Sequence, residues 1–285
     1  MERPIVGIGE ILFDMLPAGA QLGGAPANFA YHVGRLGGKG IAISAIGKDS
    51  LGEEVKRILG SKGLDAILPE VDYPTGVVNI TLDDKGVPSY TIIEGVAWDN
   101  IPYTPEMKSI ASEAQAVCFG SLAQRSPVSR KTIMDFIADM PEDSLKVYDI
   151  NLRQHFFSKE IIEESLRVAD ILKINDEEIV TVSQILGLKG SPEDACRAIL
   201  RQYGLKLVIL TKGGDGSEVI TEDDILSVEC PEVEIADTVG AGDSFTAAFI
   251  QAYLRGDSLL ECHRLANEIS AIVCSCHGAM PEYSR

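Results

Sequence analysis

The feature that most constrains this chain is a repeated alternation of short apolar runs with longer stretches of helical periodicity. Pro4–Gly9, Gly40–Ile46, Ala116–Phe119, Lys146–Ile150, Ile171–Ile174 and Leu207–Thr211 are apolar and too short for core helices. They read as strands buried on both faces. Gly24–Arg35, between the first two, has a helical pattern, and similar stretches separate the later runs. Parallel strands need such crossovers, so the expectation is an α/β fold, a mostly parallel central sheet with helices on both faces. The chain has 285 residues, 45% of them hydrophobic, which is enough for a sizeable core. No internal repeat, low-complexity segment or Pro- or Ser-rich linker divides it, so residues 1–285 are expected to form one domain.

One region breaks the rhythm. Gly76–Leu82 and Pro88–Glu94 are strand-like, and Asp83-Asp84-Lys85-Gly86 between them has hairpin-turn composition. Together with residues 14–22, residues 76–98 are expected to form a small discontinuous β-lid. The alternative is an ordinary antiparallel edge of the main sheet.

Charge excludes one class of partner. Acidic residues outnumber basic ones 43 to 25, a net charge of −18 that repels nucleic acid. A nucleotide site would therefore have to concentrate backbone amides, a divalent ion and a few Lys or Arg side chains. Cysteines at 118, 196, 230, 262, 274 and 276 show no C-x-x-C pairing, which makes structural zinc improbable and a reducing cytoplasm the expected location. The N-terminal segment carries acidic residues within its short apolar run, unlike a signal peptide, and no segment approaches the ~20 apolar residues of a membrane span.

The strongest chemical signal is Asp237-Thr238-Val239-Gly240-Ala241-Gly242-Asp243-Ser244-Phe245, which runs into the helical pattern Thr246–Leu254. Gly240, Ala241 and Gly242 offer little side chain to hinder an anion, so their N–H groups can meet phosphate oxygens at the positive helix end. Asp243 at the helix start can accept a proton from an attacking hydroxyl, with the helix terminus keeping it ionised. An Asp in this place, taken by itself, is most often a helix cap.

The whole string resembles the C-terminal signature of the ribokinase-like carbohydrate kinases, also called the pfkB family. Gly23-Gly24-Ala25-Pro26-Ala27-Asn28, Gly34-Arg35-Leu36-Gly37 and Gly47-Lys48-Asp49-Ser50-Leu51-Gly52 are similar to the family's N-terminal segments, in the expected order. Gly9-Glu10-Ile11-Leu12-Phe13-Asp14, Gly120-Ser121-Leu122, Asp149-Ile150-Asn151-Leu152-Arg153 and Asn175-Asp176-Glu177-Glu178 resemble the bacterial fructokinases within it. The resemblance implies transfer of the γ-phosphoryl group of ATP to a sugar hydroxyl, with fructose the favoured acceptor and Asp243 the base. Ribose and 2-keto-3-deoxygluconate are the alternative acceptors.

The same resemblance implies the remaining roles. Asp14, Gly23, Gly24, Asn28 and Arg153 face the sugar, Asp14 by accepting hydrogen bonds from adjacent hydroxyls. Arg153 and Lys173 are also the nearest candidates to bring positive charge to phosphates. Asn175, Thr211, Gly213, Gly214, Gly216 and Asn267 face ATP, with Asn267 reaching the base. Glu178, three residues after Asn175, helps to hold Mg²⁺ through water. Asp237, the Val239 carbonyl and Gly278 match a monovalent-cation site that K⁺ would fill, although Glu282 stands where a small hydroxyl residue is expected. Each cluster also has a plain structural reading: a tight turn and cap at 23–28, an exposed first helical turn at 175–178, a β-turn at 211–216. The lid also offers a surface through which two chains could pair as a homodimer.

Two rival classes fall on the residues themselves. Gly7-Ile8-Gly9-Glu10 lacks the third glycine of a dinucleotide-binding G-x-G-x-x-G, and no G-x-x-x-x-G-K-[ST] occurs. A non-catalytic sugar-binding or regulatory protein on the same fold is the remaining alternative, and the intact Gly240–Asp243 turn argues against it.

Overall fold

The computed structural model describes residues 2–16, 19–82 and 88–283. In chain order its elements are β1 (Ile5–Ile8), β2 (Leu12–Leu16), β3 (Gly19–Gly23), α1 (Ala25–Arg35), β4 (Gly40–Ile43), β5 (Ile46–Gly47), α2 (Ser50–Ser61), β6 (Asp65–Ile67), β7 (Glu70–Val71), β8 (Gly76–Leu82) and β9 (Pro88–Ile92). Then follow α3 (Pro105–Glu113), β10 (Ala116–Phe119), α4 (Pro127–Ala138), β11 (Leu145–Asp149), α5 (Lys159–Val168), β12 (Ile171–Asn175), α6 (Asp176–Leu186), α7 (Pro192–Tyr203), β13 (Leu207–Thr211), β14 (Ser217–Ile220), β15 (Ile225–Val228), α8 (Ala241–Arg255) and α9 (Leu259–Cys274).

Nine strands form the main sheet in the order β15-β14-β13-β12-β11-β10-β1-β4-β6. Every pairing from β13 to β6 is parallel, and only β14 and β15 run antiparallel. Alternate residues of each strand face opposite helical layers, as a two-residue period demands. Ile5, Ala116, Val147, Ile171 and Ile209 pack against Phe29 of α1, Phe249 of α8 and Ile269 of α9. Val6, Val117, Tyr148, Leu172 and Leu210 pack against Phe136 of α4, Ile162 of α5 and Ile199 of α7. Among the described residues no helix is long and apolar enough to cross a membrane.

This order fixes where a ligand can bind. From β1 the chain adds β4 and β6 on one side, then β10 to β13 on the other, so the direction of growth reverses between β1 and β10. In open parallel sheets the crevice at the carboxyl ends of the strands, at such a switch point, is the natural binding site.

The second sheet, β3-β2-β8-β9, is separate from the main one. It gathers 12–16 and 19–23 with 76–82 and 88–92, and the hairpin is not an edge of the main sheet. The expected range to residue 98 is too long: the strand ends at Ile92, and Ala97–Asn100 form a 3-10 turn with Trp98 fully buried. The turn Asp83–Gly86 lies outside the described residues. Arg125 holds the exit of this sheet. Its guanidinium lies 4.0 Å from the Trp98 ring centroid and 4.4 Å from that of Phe156, pairs with Asp99 at 2.8 Å and donates to the Ile93 carbonyl.

Candidate active site

The carboxyl ends of β1, β10, β11, β12 and β13 deliver Glu10, Leu122, Arg153, Asn175 and Thr211 to one cleft of about 620 Å³. The small sheet covers it with Val78, Tyr90 and Ile92, and the start of α8 closes the remaining side with Gly240, Gly242 and Asp243.

Gly240 caps α8 at φ 80°, where a Cβ would lie 2.8 Å from the Ala279 backbone, so both conformation and space require glycine. The first turn of a helix leaves N–H groups without helical partners, and here they border the cleft. The Ala241 N–H does turn back to the Thr238 carbonyl, at a long 3.3 Å.

Asp243 accepts a 2.8 Å hydrogen bond from Asn28 Nδ2. The expectation that the helix terminus keeps this carboxyl ionised meets an opposing effect. Burial, with the neighbouring Asp149 charge, pushes it up to about 6, against the pull of Asn28, Lys173 and Arg153. A carboxylate near that value is still largely ionised at neutral pH and more basic than a free one.

Lys173 lines the cleft but is not a free charge. Its ammonium sits 3.0 Å from both Asp149 oxygens, and Thr246 donates to Asp149 at 3.0 Å. Burial works against the charged amine, yet Asp149 and Glu178 raise its pKa overall. Its Nζ would be 3.0 Å from a Cβ placed on Gly242, so this ion pair directly underlies the glycine turn.

Asp14 and Gly23 of the small sheet line the same cleft with Gly24, Asn28 and Arg153. Burial raises the Asp14 pKa. Gly24 adopts φ 124°, and a Cβ there would lie 2.5 Å from the Glu10 carbonyl. Arg153 rides on a loop in which Asn151 and Gln154 hold φ of 40° and 50°, a strained conformation for side-chain-bearing residues. Gln154 Nε2 donates to the Tyr90 carbonyl at 2.6 Å, joining that loop to β9.

A second hollow of about 370 Å³ continues from the cleft and shares Asn175, Thr211 and Gly242 with it. Gly213, Gly216 and Asn267 line it; Gly214 stands outside the lining. The Asn267 amide donates to Ser217 and to the His263 carbonyl, so it supplies wall with both N–H groups engaged.

The residues expected to hold ions fall in two places. Glu178 completes a capping box with Asn175 and accepts from the Asn175 and Leu152 N–H groups at 3.0 and 2.9 Å. It borders neither hollow. Asp237 accepts from the N–H groups of Val239 and Gly278, each at 3.0 Å, which brings those three residues together, while Glu282 is exposed. Among the described residues no cluster of three or more His, Cys, Asp or Glu side chains forms a preassembled metal centre.

Sequence reasoning missed Glu10, buried in the cleft with its carboxyl pushed up to about 7, and the roles of Gln154, Tyr90 and Thr246. An acidic residue inside an apolar N-terminal run was the available signal for Glu10.

The model of the pfkB family carbohydrate kinases matches residues 19–284. A sugar kinase of Pyrococcus horikoshii, PH1459, is 32% identical over 96% of this chain and 91% of its own. Its crystal structure superposes with a TM-score of 0.84 over 97% of this chain and 93% of that one. The Escherichia coli fructokinase is 28% identical over 88% of this chain and 84% of its own. The ATP-dependent 6-phosphofructokinase of Thermoanaerobacterium thermosaccharolyticum is 28% identical over 94% and 86%. The fold is therefore ribokinase-like, and the chain belongs to the pfkB family of carbohydrate kinases.

Proposed function

We propose that the protein is an ATP-dependent fructokinase that forms fructose 6-phosphate. One observation carries the reading: Asp243, at the positive end of α8, faces Asp14, Asn28 and Arg153 in a cleft that continues into the Thr211–Gly216 hollow. The sugar lies on the first side, ATP on the second, and the transferred phosphoryl group between them at the Gly240–Gly242 turn. PH1459 has been solved in complex with ATP at 31% identity to this chain, which supports the nucleotide.

The acceptor class follows from charge. Glu10, Asp14 and Asp243 line the cleft, and of the two cations that line it among the described residues Lys173 is paired with Asp149, leaving Arg153. A sugar already carrying a phosphate would meet mainly carboxylates, so a neutral hexose fits better than fructose 6-phosphate. Asp243 takes the hydroxyl proton, Asn28 orients it, and the α8 amides stabilise the phosphoryl oxygens. Mg²⁺ bound through water at Glu178 would neutralise phosphate charge, and K⁺ would be held by Asp237 with the carbonyls of Val239 and Gly278.

The small sheet acts as a lid, latched by Gln154 to the Arg153 loop, that keeps water from competing with the sugar. Its exposed Met15 and Leu16 support pairing of lids from two copies. Six free cysteines suit the cytoplasm. A coupled ATP-consumption assay over fructose, ribose, 2-keto-3-deoxygluconate and fructose 6-phosphate tests the assignment. Fructose should give the highest kcat/KM; preference for the phosphorylated sugar would reject it, and binding without turnover would favour a regulatory protein.

A further inference from the structure

Beside Asp243 lies a much smaller cavity, about 10 Å³, where Glu10, Asp149, Asn151 and Asp243 meet an apolar wall that includes Pro26, Phe29 and Phe119, at the carboxyl ends of β1 and β10. That volume suits a single water, and the polar side chains around it supply hydrogen-bond partners. Two of its three carboxyls are already engaged, Asp149 by Lys173 and Thr246, and Asp243 by Asn28. Glu10 has no side-chain donor among the described residues, and it also opens to the large cleft.

We infer that Glu10 is a positioning residue that receives, across this cavity, the proton Asp243 takes from the sugar hydroxyl, a role that rests on Asp243 being the base. As the sugar oxygen bonds to the γ-phosphorus and the bond to ADP breaks, the hydroxyl proton passes to the Asp243 carboxylate. One water then accepts that proton and gives another to the Glu10 carboxylate, restoring ionised Asp243. Glu10 releases its proton to solvent through the cleft as products leave.

Both environments suit a proton passed between the two carboxyls. Burial raises Glu10 to about 7 and Asp243 to about 6, so either carboxyl can hold a proton near neutral pH. The charges around Glu10 are Arg153, which lowers its pKa along with the backbone amides of Glu10 and Ala25, and Asp243, which raises it. Asp149 is paired with Lys173, the Cys118 thiol is pushed well up by burial, and Asp14 lies elsewhere in the cleft.

The test compares Glu10→Gln, Glu10→Asp and Asp243→Asn with the wild type in kcat and kcat/KM from about pH 5 to 9, with folding checked by circular dichroism. The wild type should show a two-proton acid limb that begins just below pH 7. Glu10→Gln should show a one-proton limb displaced to lower pH and a plateau lowered about tenfold, less than the ~10²–10⁴ of a direct base. Glu10→Asp should keep two protons with a displaced upper midpoint, and carries the test should Glu10→Gln not fold. An acid limb unchanged in midpoint and slope, whatever the rate, would make Glu10 a structural residue and overturn the inference. Normal turnover by Asp243→Asn would remove the base itself and the relay with it; an inactive Asp243→Asn beside an unshifted Glu10→Gln limb would remove the relay alone.

Discussion

Asn28 Nδ2 donates to Asp243 Oδ2 at 2.8 Å, joining the first turn of α1 to the first turn of α8 across 215 positions of sequence. The bond holds the carboxylate toward the cleft and favours its ionised form, since it is among the influences that lower the Asp243 pKa. Asn28→Ala should therefore raise that pKa and move the acid limb of kcat to higher pH. Hydrogen bonds to charged groups contribute ~1.5–3 kcal/mol, so the displacement should be roughly one to two pH units. A pH–rate profile on the best sugar measures it, and an unmoved limb would assign Asn28 to sugar binding alone.

The Arg125–Asp99 pair, with side chains only 6% and 7% exposed, should behave as a buried ion pair. Arg125→Leu leaves Asp99 uncompensated and should cost about 3–5 kcal/mol. Adding Asp99→Asn should recover part of that loss, because no buried charge remains without a partner. Urea unfolding of the single and double variants gives both numbers; additive losses would argue that packing on Trp98 and Phe156, rather than charge, dominates.

The parallel sheet was legible because each strand is a short apolar run that only a doubly covered sheet can bury, and Leu207–Thr211 falls at the expected bounds. The turn at Gly240–Asp243 was equally plain, since small residues before a helix leave few other uses. Partners that depend on long-range packing were not. Lys173 looks like a source of positive charge for phosphates, yet Asp149 on the adjacent β11 neutralises it. Glu178 looks like a free carboxylate until its capping box with Asn175 is seen. Glu10 depends on which charges surround it, and Asp243 and Arg153 arrive from distant parts of the chain.

His32 ties α1 to the C-terminal segment, with its ring between the Tyr283 hydroxyl and the Ala279 carbonyl, and Ala279 backs Gly240. Burial lowers its pKa from 6.5 to about 4, so the folded protein favours the neutral ring. The sign follows: this contribution is complete above about pH 6.5 and is lost as pH falls toward 4, a change of roughly 3 kcal/mol. Thermal unfolding between pH 7.5 and 4.5 should show His32→Gln losing less stability on acidification than the wild type. Parallel curves would mean that other groups carry the acid sensitivity.

The central claim, that Asp243 is the base for phosphoryl transfer to a sugar, is tested most directly by kcat and ATP affinity of Asp243→Asn. The substitution keeps shape and the capacity to hydrogen-bond while removing basicity. The expected result is a fall in kcat of ~10²–10⁴ with nucleotide affinity little changed. Near-normal turnover by a correctly folded Asp243→Asn protein would reduce Asp243 to a helix-terminal residue and contradict the mechanism.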